Sequence, residues 1–300
     1  MVDLGVQLGG LNLKNPIIAA AGSFGFGEEY GELYDISRLG AVCTKGLTLM
    51  PREGNPPPRL WETPCGLLNS IGLQNPGIDH FIVEELPRMK KAGIVVIANV
   101  WGETVGEYAT AVGRLSGTCV DAVELNLSCP NVPGGEILGR SARRAREVIR
   151  ETRGGCEKPL FAKLPPEGEL LAVARACQAE GADAISAVNT FRAMKIDIET
   201  GKPVFKNIFA GLSGPGINPI ALRMTYELSQ SLAIPIIGMG GITGWQEAVE
   251  FIIAGARAVQ LGTANFIDPW TGLRIIEGLE LFMKRRSIES LEGIRGLAQR

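Results

Sequence analysis

Short, almost continuously apolar runs alternate along this chain with longer amphipathic stretches. Eight such runs can be counted, at residues 17–21, 41–45, 94–100, 122–129, 160–164, 184–190, 235–242 and 258–263. Segments such as IVVIANV, AISAV and PIIGM leave little polar surface for water, as expected of strands buried on both faces of a parallel sheet. Helical periodicity fills the intervals, for example over 141–153, 170–180, 219–232 and 245–254, the last with Thr243 as its expected cap and Gly255 as its stop. Repeated strand–helix units predict an α/β chain, and eight of them favour closure into a (β/α)8 TIM barrel over a doubly wound open sheet. Residues 2–13 read as an N-terminal β-hairpin turning at Gly9 and Gly10, placed to plug the barrel's N-terminal end.

Two stretches are too long to be ordinary βα connections. Residues 48–77 carry PREGNPPPR and NSIGLQNPG; residues 191–216 carry TGKPVFKN and GLSGPG. They are expected to be long active-site loop insertions, since loops of that length are usually functional. No linker composition divides the chain, so residues 1–300 are expected to form a single domain.

Charge narrows the partners. Thirty basic and 32 acidic side chains leave a formal charge of -2, and no basic stripe of the kind that grips nucleic acid is present. The arginines of RSARRAREVIR read as a solvated helix face. No apolar run reaches the roughly 18 residues of a membrane span, and the first ten residues lack the pattern of a secretory signal, so a soluble, cytoplasmic protein is expected. The six cysteines, unpaired in spacing, are expected to be reduced thiols, most of them packing.

In a barrel the active site is built at the C-terminal strand ends. Those ends carry Ser23, Lys45, Asn99, Asn126, Cys129, Lys163, Asn189, Thr190, the pair Gly240 and Gly241, and Gly262 with Thr263. Any one of these asparagines could be a solvated strand end; three of them with two lysines and a thiol at one mouth suggest a site. The glycines of GMGGI, ending strand seven and opening a helix, and of LGT let backbone N–H groups approach a phosphate. Lys45 and Lys163, set beside apolar neighbours, point to an anionic ligand, or alternatively to Schiff-base chemistry in a phosphosugar lyase or aldolase. A non-catalytic phosphate-ligand sensor is a further alternative. Pro130 should turn the chain out of the strand and aim the Cys129 thiol into the mouth. With His80 as the lone histidine, a Zn site or a Cys/His hydrolase dyad is disfavoured, and His80 reads as surface or helix-start packing.

Several of these segments, in order along nearly the whole chain, resemble class 1 dihydroorotate dehydrogenases: TKGLT, NSIGLQNPG, NLSCPN, VNT, GKPVFKN, GLSGPG, PIIGMGGI and LGT. The resemblance implies an FMN-dependent barrel that oxidises (S)-dihydroorotate to orotate in pyrimidine synthesis. It implies FMN contacts from Ser23, Lys45, Gly46, Asn99, Asn126, Lys163, Val188, Gly214, Gly240, Gly241, Gly262 and Thr263. It implies substrate contacts from Lys45, Asn69, Ser70, Ile71, Gly72, Leu73, Asn126, Asn131, Asn189 and Thr190, and makes Cys129 the base that takes the C5 proton while the flavin takes a hydride from C6. A ring of asparagines, each both donor and acceptor, suits the amide rim of a flat pyrimidine acid, and Lys45 suits its carboxylate. Lys163 would offset negative charge on a reduced flavin.

A cysteine base resembles the soluble class. NVWGE at 99–103 and the TGKPVFKN to SGPG stretch resemble the NAD-linked type more than the fumarate-using type, class 1A. The chain has no dinucleotide fingerprint and no iron–sulfur cysteine cluster. The NAD-linked type therefore implies a partner electron-transfer subunit with FAD and a 2Fe–2S centre, in a heterotetramer of two catalytic and two electron-transfer chains. AGLSGP and Pro165, Pro166 and Glu167 after Lys163 depart from the common pattern and put only local loop shape in question.

Overall fold

The structure, a computed structural model, describes residues 2–128 and 137–300. Eight parallel strands close into a barrel: Ile17–Ala19, Ala41–Cys43, Val96–Val100, Ala122–Asn126, Leu160–Lys163, Ala184–Ala187, Ile236–Met239 and Ala258–Leu261, each paired with its sequence neighbours and the last with the first. The (β/α)8 expectation holds. All eight strands fall inside the apolar runs but are shorter. The trailing residues of the runs at 41–45 and 184–190 leave the ladder and become mouth.

These strands are buried throughout, which is why alternation was absent from their sequence. The helices follow the periodicity closely: Ala142–Arg153 capped by the Ser141 hydroxyl, Leu170–Ala179, Asn218–Ser231 and Trp245–Ile253. One detail differs. The cap of the last is Gly244, while the Thr243 hydroxyl donates to Glu247 at 3.4 Å instead of receiving a backbone N–H. The GMGGI segment likewise does not open the helix directly, since Trp245 lies beyond the Ile242–Gly244 turn.

Val6–Leu8 pairs antiparallel with Leu11–Leu13 around Gly9 and Gly10, both at positive φ. A Cβ on Gly9 would lie 2.4 Å from Asp183 Cβ, so the hairpin tip presses on the residue just before the sixth strand, at the barrel's N-terminal end. The plug expectation is met there.

The two insertions are more ordered than loops. Leu60–Thr63, Gly66–Asn69, Phe209–Ser213 and Phe191–Met194 form one four-stranded antiparallel sheet, in which Gly211 pairs with Asn69 and Leu212 with Leu68. A small core of Leu68, Phe205 and Ala210 holds it. Among the described residues no helix is long and apolar enough to cross a membrane. Cys43, Cys156 and Cys177 are buried as packing thiols, but Cys65 and Cys119 are exposed, so packing accounts for three of the five described cysteines.

Candidate active site

A cavity opens at the C-terminal mouth, between the strand ends and the insertion sheet. Its lining includes Ser23, Lys45, Gly46, Asn69, Ile71, Gly72, Leu73, Asn99, Asn126, Lys163, Val188, Asn189 and Thr190, with Gly214, Gly240, Gly241, Gly262 and Thr263. The structure thus brings together residues separated by up to 240 positions, as closure requires. Ser70 is the described exception: its hydroxyl accepts from Asn55 Nδ2 at 3.2 Å, and its residue is buried behind the lining. Just past the end of the strand Gly66–Asn69, Asn69 and Ile71 line the cavity while the Ser70 side chain is held away from it by Asn55. Cys129 and Asn131 lie outside the described residues.

Lys163 ends the fifth strand and is buried. Asn126 ends the fourth in register with it. Asn126 Oδ1 accepts from the Ser128 hydroxyl at 2.8 Å, and the same hydroxyl accepts from Asn189 Nδ2 at 2.8 Å. Tyr108, fully buried on the preceding helix Val105–Ser116, donates its hydroxyl to the Asn126 carbonyl at 2.7 Å and fixes this strand end from behind. Asn69 Nδ2 donates to the Gly211 carbonyl at 3.2 Å, so the sheet itself orients the asparagine over the cavity.

The glycine positions differ in what they demand. A Cβ on Gly240 would meet Ala221 at 2.6 Å and one on Gly241 would meet Asn218 at 2.7 Å, so both are close approaches to the seventh helix–strand unit. Gly262 is different: a Cβ there meets no protein atom within 4 Å, and the residue faces the cavity. Nothing in the protein requires glycine at 262, which leaves that space to a ligand. Thr263 beside it donates to the Ser213 hydroxyl at 2.8 Å and ties the eighth strand end to the insertion sheet.

Sequence reading passed over two residues beneath this cavity. Gln260 lies on the eighth strand and lines the floor; Glu124 lies on the fourth and is wholly buried. The signal was present, since a carboxylate in AVELN and an amide in AVQL interrupt strands that are otherwise apolar. Cys43, also in the barrel interior, has its thiol pushed well up by burial and by the Glu124 carboxylate beside it. It is a poor nucleophile candidate for that reason.

Outside the mouth, the arginine-rich helix is accounted for by carboxylates. Arg150 pairs with Glu180 at 2.9 Å and Arg153 with Asp183 at 2.8 Å, and the Arg150 guanidinium holds the Glu180 carboxyl below its usual range. His80 is exposed in a short helical turn and faces Glu85 at 3.6 Å. Among the described residues no group of three or more His, Cys, Asp or Glu side chains is arranged to hold a metal ion.

The family model described as dihydroorotate dehydrogenase matches residues 3–283. The chain is 52% identical over 299 residues to the "Dihydroorotate dehydrogenase B (NAD(+)), catalytic subunit" of Petrotoga mobilis, covering 99% of this chain and 100% of that one. It is 49% identical over 297 residues to the protein of the same name from Thermoanaerobacter pseudethanolicus, covering 98% of each. With that of Bacteroides thetaiotaomicron the figures are 43% over 301 residues and 99% of each.

Proposed function

Since the chain belongs to the dihydroorotate dehydrogenase family, we propose that it is the FMN-carrying catalytic subunit of an NAD-linked enzyme that oxidises (S)-dihydroorotate to orotate in pyrimidine synthesis. The observation that carries this reading is the mouth cavity itself, where flat-ligand recognition groups and space for a phosphate-bearing cofactor meet. Asn99 Oδ1 and Gln260 Oε1 are buried acceptors with no protein partner, and both residues line the cavity. Such atoms cost about 1–3 kcal/mol each unless a ligand meets them. The open side of Gly262 and the buried Lys163 ammonium complete a donor and acceptor set that fits FMN.

Ser23, Lys45, Gly46, Asn99, Asn126, Lys163, Val188 and Gly214 would hold the flavin, with Gly240, Gly241, Gly262 and Thr263 around its phosphate. When bound, FMN supplies the hydride acceptor. Lys45, Asn69, Asn126, Asn131, Asn189 and Thr190 would orient the substrate, with the backbone of Ile71, Gly72 and Leu73 closing over it. Ser70 contributes through the backbone it shares with Asn69 and Ile71, since its hydroxyl is engaged by Asn55. Cys129 takes the C5 proton as thiolate. The Ser128 hydroxyl, one residue before it, is anchored to Asn126 and Asn189, which fixes the chain where it leaves the fourth strand.

Electrons leave through a partner chain bearing FAD and a 2Fe–2S centre, in a cytoplasmic heterotetramer of two catalytic and two electron-transfer subunits. The test is spectral and then kinetic. The purified chain should be yellow, dihydroorotate should bleach it without oxygen, and NAD reduction should require added electron-transfer subunit. A chain unable to take up FMN would overturn the reading, and efficient fumarate turnover by the isolated chain would overturn the NAD assignment.

A further inference from the structure

The Glu124 carboxylate is the hub of the barrel interior. Side chains from four other strands donate to it: Cys43 Sγ at 3.2 Å and Asn99 Nδ2 at 2.7 Å reach Oε1, while Ser186 Oγ and Gln260 Nε2, each at 2.6 Å, reach Oε2. An ionised carboxylate only accepts, so any amide beside it must present its NH2 group. The amide carbonyl is then turned the opposite way. Asn99 Oδ1 and Gln260 Oε1 are the two atoms left buried without a protein partner by this constraint, and both residues line the mouth cavity. Neither amide can flip to hide its carbonyl without aiming an oxygen at the carboxylate.

We propose that Glu124 is a positioning residue that locks the Asn99 and Gln260 amides with their carbonyls toward the cavity, and that these acceptors select a flat heterocycle carrying N–H on its rim. The inference deepens the flavin reading and rests on it. The imide N–H of the flavin pyrimidine ring has the required chemistry, and a ring alkylated at that nitrogen has none to give. Charge alone would not produce this selectivity, because a carboxylate anywhere in the barrel interior would act on both flavins alike.

The experiment uses the full-length chain stripped of flavin and titrated with FMN and with FMN methylated at the imide nitrogen, read by quenching of flavin fluorescence. The unaltered chain should bind FMN at least roughly tenfold more tightly than the methylated flavin, the worth of one buried hydrogen bond. Glu124→Gln keeps the shape but adds a donor, which frees a neighbouring amide to flip; FMN affinity should fall roughly tenfold and the preference over the methylated flavin should shrink. Gln260→Met removes one of the two carbonyls and, with it, one of the four donors to a carboxylate that is itself kept; it should shrink the same preference should Glu124→Gln fail to fold. If the unaltered chain binds FMN and either soluble variant keeps both the affinity and the full preference, the positioning role is wrong while the flavin reading stands. A chain that takes up neither flavin defeats the flavin reading instead.

Discussion

The Asn189 side-chain amide donates to the Ser128 hydroxyl at 2.8 Å, which joins the end of the sixth strand to the chain leaving the fourth. The same hydroxyl donates to Asn126 Oδ1, so one buried serine orders two asparagines of the cavity wall. Ser128→Ala removes the link and leaves both amides to compete for other partners, at about 1–3 kcal/mol for each group left unmet. The expected outcome is a KM for dihydroorotate raised roughly tenfold, with FMN content unchanged. Steady-state kinetics on flavin-normalised protein would check it, and an unchanged KM would show that the link does not orient substrate groups.

Cys129→Ala should leave FMN bound and slow flavin reduction by dihydroorotate at neutral pH by on the order of 10²–10⁴-fold, the usual contribution of a positioned base. In the unaltered protein the rate of reduction should rise with pH through the thiol's ordinary value of about 8.5 or somewhat below it, since the thiolate is the competent form. Anaerobic stopped-flow bleaching measures both. Rapid bleaching of the alanine variant would remove Cys129 from the proton step.

Much of this was readable because barrel strands write themselves plainly. A run such as residues 236–239, IIGM, is buried on every side and so carries no polar alternation to confuse it. The mouth was readable for a related reason, since polar groups such as Asn126 and Lys163 stand at the points where apolar runs stop. The insertion sheet was not. Its central pairing, Asn69 with Gly211, spans 142 positions between short strands of mixed character, and no local pattern encodes a partner that distant. That the Ser70 hydroxyl turns to Asn55, with Asn69 and Ile71 lining the cavity on either side of it, was likewise not legible, because Asn55 lies 15 positions away in a loop with no regular pattern. Glu124 and Gln260 were less legible because they stand inside apolar strands and not at their ends, although a charge in mid-strand is the rarer event.

Cys177 gives the fold an alkaline weakness. Burial within the helix Leu170–Ala179 pushes its thiol up to about 12. Below the unfolded value, near 8.5, the thiol is neutral in both states and its burial carries no ionic penalty. Above that value the unfolded chain ionises while the folded chain keeps its proton, so stability is lost as pH rises from about 9 toward 12, by up to roughly 4 kcal/mol at the top of the window. Cys177→Ala should be slightly less stable at pH 7.5, by about 1 kcal/mol for the lost packing. Its stability should decline less between pH 8.5 and 10.5, a range set by the thiol values about 8.5 and above. Urea melts across that range would show the two curves approach and then cross, and parallel curves would mean that Cys177 does not report on alkaline unfolding.

Gly262→Ala separates a requirement of the fold from one of the ligand. A Cβ at 262 touches no protein atom within 4 Å and the backbone there is not in the left-handed region, so the flavin-free variant should melt within about 0.5 kcal/mol of the unaltered chain. The added methyl projects toward the cavity beside Thr263, where the cofactor phosphate is expected. FMN affinity should therefore fall by roughly tenfold or more, as expected when a close backbone–phosphate approach is obstructed. Gly240→Ala is the contrasting case: φ is +132 and Ala221 lies 2.6 Å from the new Cβ, so its loss of stability should be visible even without flavin. Thermal melts of both variants with and without FMN make the comparison. A Gly262→Ala protein that binds FMN normally would place the phosphate elsewhere on the mouth.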